Sequence, residues 1–243
     1  MKIDSIKTQV ILFLPAFAVF LSVKDRDAAF LFTTCIAVVF AALCESVFIF
    51  LKEKKLVLTE SSIISGLIIG FVIFRSQPWW VFALAAIFAI TSKHVIRFNN
   101  KHIFNPAAFG IFAAIILLRA QTQWQGTYDW YILAPAGLYA ITKIRKLELF
   151  FGYAVVTLVL FGAQAVMQKV PVLNIFGYLS YFYIFVMIIE PRTTPVKPRA
   201  KWLFGALLAA LIFVLTALGV KFDVELASLL IMNMFVALLN KLG

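Results

Sequence analysis

The sequence predicts an all-α, polytopic membrane protein. Three observations predict it: an excess of apolar residues, their grouping into runs of membrane-crossing length, and an alternation of basic residues between the segments that join the runs. Apolar residues make up 63% of the 243 residues and charged residues 14%, with a mean hydropathy of +1.00; a soluble domain is about half apolar and a quarter charged. At about 20 residues per crossing plus a short loop, roughly ten helices use up the chain, which leaves no room for an aqueous catalytic domain. The expectation is one transmembrane domain over residues 1–243, with the lipid bilayer as its surroundings. A net charge of +11 would suit nucleic acid on a soluble protein. In a membrane chain it reports topology, because cytoplasmic loops retain lysine and arginine, and nucleic acid is not an expected partner.

Cutting the chain at its charges gives ten apolar runs: Thr8 to Val23, Ala28 to Leu51, Leu56 to Phe74, Trp79 to Ser92, Ile103 to Leu118, Trp130 to Thr142, Leu149 to Met167, Val172 to Ile189, Trp202 to Val220 and Val224 to Leu239. The first lacks a small-residue cleavage site and is soon followed by a second, so a first span is expected there and not a removed signal peptide. The fourth and sixth are short for a 30 Å hydrocarbon core and are expected to be tilted, broken or longer than their charges suggest. Cys35 and Cys44 fall nine residues apart in one run, on different helix faces, and read as small buried apolar residues with no disulfide or metal role.

Ten runs make the connecting segments alternate between two sides. The side of the N-terminus holds sixteen basic residues and the other side six, the first group including Lys52, Lys54 and Lys55, Lys93, Arg97 and Lys101, and Arg192, Lys197, Arg199 and Lys201. A miscounted helix would scramble that split, so both termini are expected in the cytoplasm, on the inner face of the cell membrane.

The chain also repeats itself. ILFLPAF around Pro15 recurs as YILAPAG around Pro135, 120 positions on, and the break after run 3 at Pro78 precedes the break after run 8 at Pro195 by 117. Two halves, approximately 8–118 and 130–239, each hold five spans, and five is odd, so the second is expected upside down relative to the first. Inverted repeats with proline-interrupted segments are common in transporters; chance placement of prolines in apolar helices is the plainer alternative.

Few polar residues lie in the apolar runs. Asn105 suits a helix N-cap and Pro106 the first turn, where a missing N–H costs nothing; such a start presents N–H groups and the positive dipole end to an anionic or carbonyl-bearing ligand, or is simply a capped helix. Glu190, Thr193 and Thr194 gather at the end of run 8, where Pro191 and Pro195 stop the helix. Hydroxyls and helix-end carbonyls there could hold a cation or hydrogen-bond a planar cofactor, or serve only as a helix stop. Glu45 and Glu60 lie about 10 and 8 Å from the charged ends of their runs. Intramembrane carboxylates are expensive and are candidates for an ion pathway; each could instead pair with a neighbouring lysine or reach water. His94 and His102 belong to a basic loop and are expected to be solvated. No catalytic triad, P-loop, metal cluster or dinucleotide fingerprint is present in the sequence.

With these residues laid out, the sequence resembles the membrane proteins RnfD and NqrB of the Rnf and Na+-translocating NADH:quinone reductase complexes. The matching stretches are Ser61 to Trp80, KHIFNPAAFG from Lys101 to Gly110, and the acidic end of run 8 from Glu190 to Pro195. The resemblance implies a ten-helix, urea-transporter-like inverted repeat and a flavin-dependent redox role coupled to Na+ or H+ movement, beside other redox subunits of Rnf or Nqr type. It places Asn105, Pro106, Gly110, Glu190, Thr193 and Thr194 as candidate cofactor-binding residues. In larger relatives FMN is attached to a threonine in a Gly/Ser-rich motif before the sixth helix. Here that loop is short, its only Gly-Thr pair is Gly126 and Thr127, and the covalent motif is not visible, so the flavin expected (FMN or riboflavin) is non-covalent. The alternative is a stand-alone permease or channel for a small solute or vitamin, built on the same inverted repeat without redox chemistry.

Overall fold

The structure is a computed structural model, and it describes residues 5–171, 176–177 and 179–242. Among them nine α-helices follow one another: α1 Ile6–Asp25, α2 Ala28–Glu53, α3 Glu60–Val72, α4 Trp79–Val95, α5 Pro106–Leu118, α6 Trp130–Lys143, α7 Leu147–Met167, α8 Pro198–Ala217 and α9 Val224–Leu242. A π-helical segment, Tyr183–Met187, stands between α7 and α8. A hairpin of β1 Arg97–Phe98 and β2 Lys101–His102 joins α4 to α5. Five helices (α1, α2, α7, α8 and α9) are long and apolar enough to cross a membrane. Their surfaces read inside out: along α2, Phe32, Val39, Leu43 and Val47 are exposed, while Thr33, Thr34 and Glu45 are buried. An exposed apolar face of that length is covered by lipid, and the chain is a multi-pass, all-α membrane protein.

Most predicted runs end near where the helices end, and the departures have local causes. The third run begins at Leu56, but α3 begins at Glu60, because Lys54 ends α2 in the left-handed region and Thr59 caps α3 by accepting from Ser62 N. The fourth continues past Ser92 to Val95, since Lys93 and His94 have a buried anion to meet. The ninth starts four residues early, with Pro198 in its first turn. Of the eighth, Val172 to Ile189, residues 172–175 and 178 lie outside the described residues; among the described ones, 176–177 form a 3-10 turn and 181–187 are helical. The hairpin is an addition to the predicted elements. Asn99 and Asn100 adopt φ of 47° and 62°, the left-handed pair that a two-residue hairpin turn demands and that asparagine tolerates. Cys35 is exposed on α2 rather than buried, and both cysteines are free.

The chain divides into two compact units, Met1–Gly126 and Thr127–Gly243. In the first, α2 packs on α3 and α4, α4 on α5, and α1 across α3. Phe71 joins the layers, stacked on Phe17 of α1 at 5.7 Å and edge-on to Phe30 of α2 at 5.2 Å. The loop after α5 is laid against the end of α3, with Phe74 N donating to Gln121 O, Gln123 N to Val72 O and Gln125 N to Phe71 O, so backbone groups without a helix partner satisfy each other. Asp27, which caps α2, holds Arg75 beyond α3 at 3.0 Å.

In the second unit α7 packs on α8, α8 on α9, and α6 against the π-segment. The α7–α8 crossing depends on Gly152 and Gly205, where a Cβ would strike the carbonyl oxygens of Trp202 and Leu149 respectively. Small residues let membrane helices approach this closely. Tyr153, Phe182, Tyr183, Phe204 and Leu208 fill the core.

Candidate functional site

Each unit holds one polar cluster built from residues expected to matter. In the first, Glu45 of α2 is buried and meets a lysine and a histidine from α4: Lys93 Nζ at 2.6 Å from Oε1 and His94 Nε2 at 3.0 Å from Oε2. Lys93 also donates to Ser61 Oγ at 2.7 Å, the Thr59 hydroxyl donates to Glu45 Oε1 at 3.4 Å, and the His94 ring stacks on Phe48 at 4.6 Å. A carboxylate taken out of water persists as an ion only when paired and hydrogen-bonded, and the side chains of α4 and the α3 start supply that pairing. Glu60, beside Thr59, turns instead to α1 and accepts from Thr8 Oγ1 at 2.9 Å. It also sits in the first turn of α3, where the helix dipole favours a negative charge.

Two expectations change here. Of the two roles open to Glu45, an unpartnered intramembrane carboxylate or a lysine-paired one, the geometry shows the second, with a histidine added. His94, expected in solvent, is a hydrogen-bond partner of Glu45 with a side chain 21% exposed. Sequence reasoning misses both because it ends the fourth run at Ser92 and leaves Lys93 and His94 to a loop. A signal exists nonetheless: a carboxylate seven residues inside a span needs a cation, and the basic residues closest to an apolar run are the ones able to reach it.

Asn105 caps α5 as its place before Pro106 predicts, its Oδ1 accepting from Ala108 N at 3.0 Å. Both residues are buried, and so is Gly110, whose missing Cβ leaves room for Ala85 O and Ala89 of α4. Gly110 therefore has a packing reason to be glycine.

In the second unit the segment from Glu190 to Pro195 is knitted from all sides. Glu190 Oε2 accepts from Thr193 Oγ1 at 3.1 Å and Glu190 O from Thr194 Oγ1 at 2.6 Å. Asn233 of α9 donates to Thr193 O at 2.9 Å, and Asn240, two turns further along α9, accepts from Val196 N at 2.9 Å. Lys146, which precedes α7, reaches in with Nζ 2.7 Å from Thr194 Oγ1 and 2.6 Å from Pro195 O. Lys201 of α8 donates to Arg145 O at 2.6 Å and pairs with Glu148 at 3.1 Å. Lys146 is 4% exposed with neutral oxygens as its hydrogen-bond partners. Burial, reinforced by the Lys201 charge and partly opposed by Glu148, lowers its pKa to about 8. Sequence reasoning does not single out Lys146, Lys201, Asn233 or Asn240, since isolated polar residues at helix ends look alike until the loop they serve is placed.

The structure thus brings Glu45 and Glu60 to the α3 start of the first unit, where they serve different helices, commits Asn105 to its own cap, and places Glu190, Thr193 and Thr194 together in the second unit. Thr127 Oγ1 is buried without a hydrogen-bond partner, and Gly126, at φ +79°, leaves no room for a side chain against Phe17.

Comparison with known proteins accounts for the order of these segments. The family described as NQR2, RnfD, RnfE matches residues 1–147 and again 131–242. A protein of Shewanella piezotolerans named as one of the subunits of an ion-translocating oxidoreductase complex is 32% identical over 94 residues, 37% of this chain and 27% of that protein. Its namesake in Erwinia tasmaniensis is 31% identical over 112 residues, 44% of this chain and 30% of that one. The namesake in Escherichia coli is 28% identical over 141 residues, 56% and 40% of the two chains. The matched stretch spans less than half the length of each of these relatives. With the family matched across nearly every residue from one end to the other, the chain belongs to the NQR2, RnfD, RnfE family.

Proposed function

We propose that this protein is a membrane-embedded electron-transfer subunit of Rnf or Nqr type, which passes electrons through a flavin while Na+ or H+ crosses the cell membrane, alongside other redox subunits. The observation that carries the reading is the family match over almost the whole chain, together with relatives named as members of an ion-translocating oxidoreductase complex.

The same reading includes ten spans in two inverted halves, 8–118 and 130–239, with both termini cytoplasmic. Packing supports the halves: α2 on α4, α4 on α5 and α1 on α3 in the first unit correspond in order to α7 on α8, α8 on α9 and α6 on the π-segment in the second. Caps support them too, since Asn105 accepts from Ala108 N and Asp223, 118 positions later, accepts from Leu226 N, both at 3.0 Å. The sixteen-to-six division of basic residues supports the orientation.

The flavin, FMN or riboflavin, is held non-covalently in this reading. The side chains of Asn105, Thr193 and Thr194 are engaged within the protein and Gly110 is filled by α4. These residues, with Pro106 and Glu190, remain the candidates for holding it in this reading, through backbone groups and the segments that their internal contacts hold in place. Glu45 and Glu60 are the candidates for the ion pathway, with Lys93 as the counter-charge of Glu45 and His94 as its hydrogen-bond partner. The test is the visible absorption spectrum of protein purified in mild detergent, before and after acid precipitation. A flavin band that moves to the supernatant on precipitation is expected; colourless protein would sink the electron-transfer reading and leave a permease on the same fold.

A further inference from the structure

Three segments meet at the end of the second unit that carries the α6–α7 turn, and hydrogen bonds pin them together. Lys146 of that turn donates to Pro195 O, and Lys201 near the start of α8 donates to Arg145 O, both at 2.6 Å. Asn240, near the end of α9, accepts from Val196 N at 2.9 Å. The two buried lysines thus direct their ammonium groups at backbone oxygens, while the other cations of the three segments lie at the surface. Lys143, Arg145, Arg192, Lys197, Arg199 and Lys241 are all exposed.

The patch has one sign. Among the described residues none of these exposed cations forms an ion pair. The carboxylates of the same segments are turned to other work: Glu148 meets Lys201 at 3.1 Å, and Glu190 Oε2 accepts from Thr193. The basic segments of the first unit differ, since Glu53 stands between Lys52 and Lys54 and Lys93 is paired with Glu45. Like charges held this close repel one another and favour an anionic partner.

Exposed aromatic rings fix the depth of the patch. Lys143 Nζ lies over the ring of Tyr139 at 5.9 Å, and Trp202 is exposed on α8 about 4.5 Å along the axis beyond Arg199. Tyrosine and tryptophan at the ends of apolar spans sit at headgroup level, so cations just outside them lie where lipid phosphates are. Leu203 and Leu207, also exposed, carry the α8 surface on into the acyl region. An acidic soluble protein would have to displace the headgroups to reach this ring of charge; a lipid phosphate is already there.

We infer that this face of the second unit binds the headgroups of anionic phospholipids, in which a phosphodiester carries no amine to cancel its charge. The inference needs neither the redox reading nor an orientation of the chain, and it is tested by equilibrium binding.

The full chain in a neutral detergent is titrated with phosphatidylglycerol or with phosphatidylcholine of the same acyl chains, and bound lipid is counted by native mass spectrometry. Wild type is expected to bind phosphatidylglycerol at least about tenfold more tightly, since each lysine or arginine near a membrane surface adds about fivefold. The triple variant Arg192→Gln, Lys197→Gln, Arg199→Gln should lose most of that preference. Its three side chains are exposed and unpaired, so its melting temperature without lipid should match wild type. Lys52→Gln, Lys54→Gln, Lys55→Gln in the first unit removes the same charge and should keep the preference. Equal binding of the two lipids by wild type would overturn the inference and leave the patch to an acidic protein surface. Equal loss in both triple variants would overturn it too, as a response to net charge alone. So would displacement of phosphatidylglycerol by millimolar inorganic phosphate, which would mark a site for a free oxyanion.

Discussion

The Lys146 ammonium donates to Thr194 Oγ1 at 2.7 Å, and 119 positions earlier for both partners Asp27 holds Arg75 at 3.0 Å. Each pair joins the turn between the first two helices of its unit to the break after the third helical element, and in each turn the preceding residue is an arginine in the left-handed region, Arg26 at φ 54° and Arg145 at φ 57°. The geometry repeats while the chemistry changes. Asp27 and Arg75 are a part-exposed ion pair, of small energetic weight, whereas Lys146 is buried among neutral oxygens and bears a desolvation cost.

That difference gives a pH dependence with a definite sign. Lys146 is lowered from 10.5 to about 8 by folding, so folding favours its neutral form. Its contribution is full above pH 10.5, declines as pH falls from 10.5 to 8, and is gone below 8. The thermal stability of wild type relative to Lys146→Met, followed in detergent from pH 7 to 10, should rise by on the order of 3 kcal/mol at most. A constant difference across that range would show that Lys146 is as well solvated as a surface lysine.

Replacing Glu45 by glutamine leaves the Lys93 ammonium without its counter-charge, so Glu45→Gln should cost about 3 kcal/mol of stability. The double variant Glu45→Gln, Lys93→Met should recover much of that loss, and a double-mutant cycle reads the coupling directly. Transport assays on Glu45→Gln alone would confound an ion pathway with a folding defect; the double variant separates them.

Gly205 has Leu149 O and Tyr153 N of α7 where a side chain would begin. Backbone cannot swing aside as a side-chain tip can, so Gly205→Ala should destabilise by about 2 kcal/mol, visible as a lower melting temperature, while Gly219→Ala, with open space around it but φ +66°, should show only the smaller backbone strain.

Thr127→Val should leave flavin content unchanged, because the loop lacks a Gly/Ser-rich attachment stretch and the Thr127 hydroxyl is buried. In-gel fluorescence under denaturing conditions reports covalent flavin; a signal in wild type that vanishes in this variant would identify Thr127 as the attachment point.

Single cysteines at Phe98, Lys241 and Tyr128, all exposed, in a background without Cys35 and Cys44, should label from two sides: Phe98 and Lys241 from the cytoplasm, Tyr128 from the other face. Labelling of Lys241 and Phe98 from opposite sides would remove the inverted repeat.

Much of the class and the order of helices was legible because an apolar run interrupted by charge is a one-dimensional signal that lipid enforces directly. Asn105 and Pro106 were legible for a local reason, since capping is settled within four residues. The partners of Glu45 were not, because whether Lys93 or Lys52 meets a given carboxylate depends on how α2 and α4 cross, and that is set by packing far from either residue. The buried hydroxyl of Ser228, which has no hydrogen-bond partner, escaped for the opposite reason: serine and threonine inside apolar helices usually bond to their own backbone, as Thr33 and Thr34 do here, and only three-dimensional placement separates those from the few that do not.

The π-segment houses one surplus residue. Ile188 N reaches back five positions to Tyr183 O at 3.1 Å where an α-turn reaches back four, so everything downstream is rotated by about 100° relative to an uninterrupted α-helix. The direction in which Glu190, Thr193 and Thr194 present themselves to Lys146 and Asn233 is therefore encoded as a count of residues upstream and not by the loop's own chemistry. Deleting one residue between Tyr183 and Met187 should restore α-helical winding and turn an intact loop away from its partners, a change in phase that no substitution within the loop would reproduce.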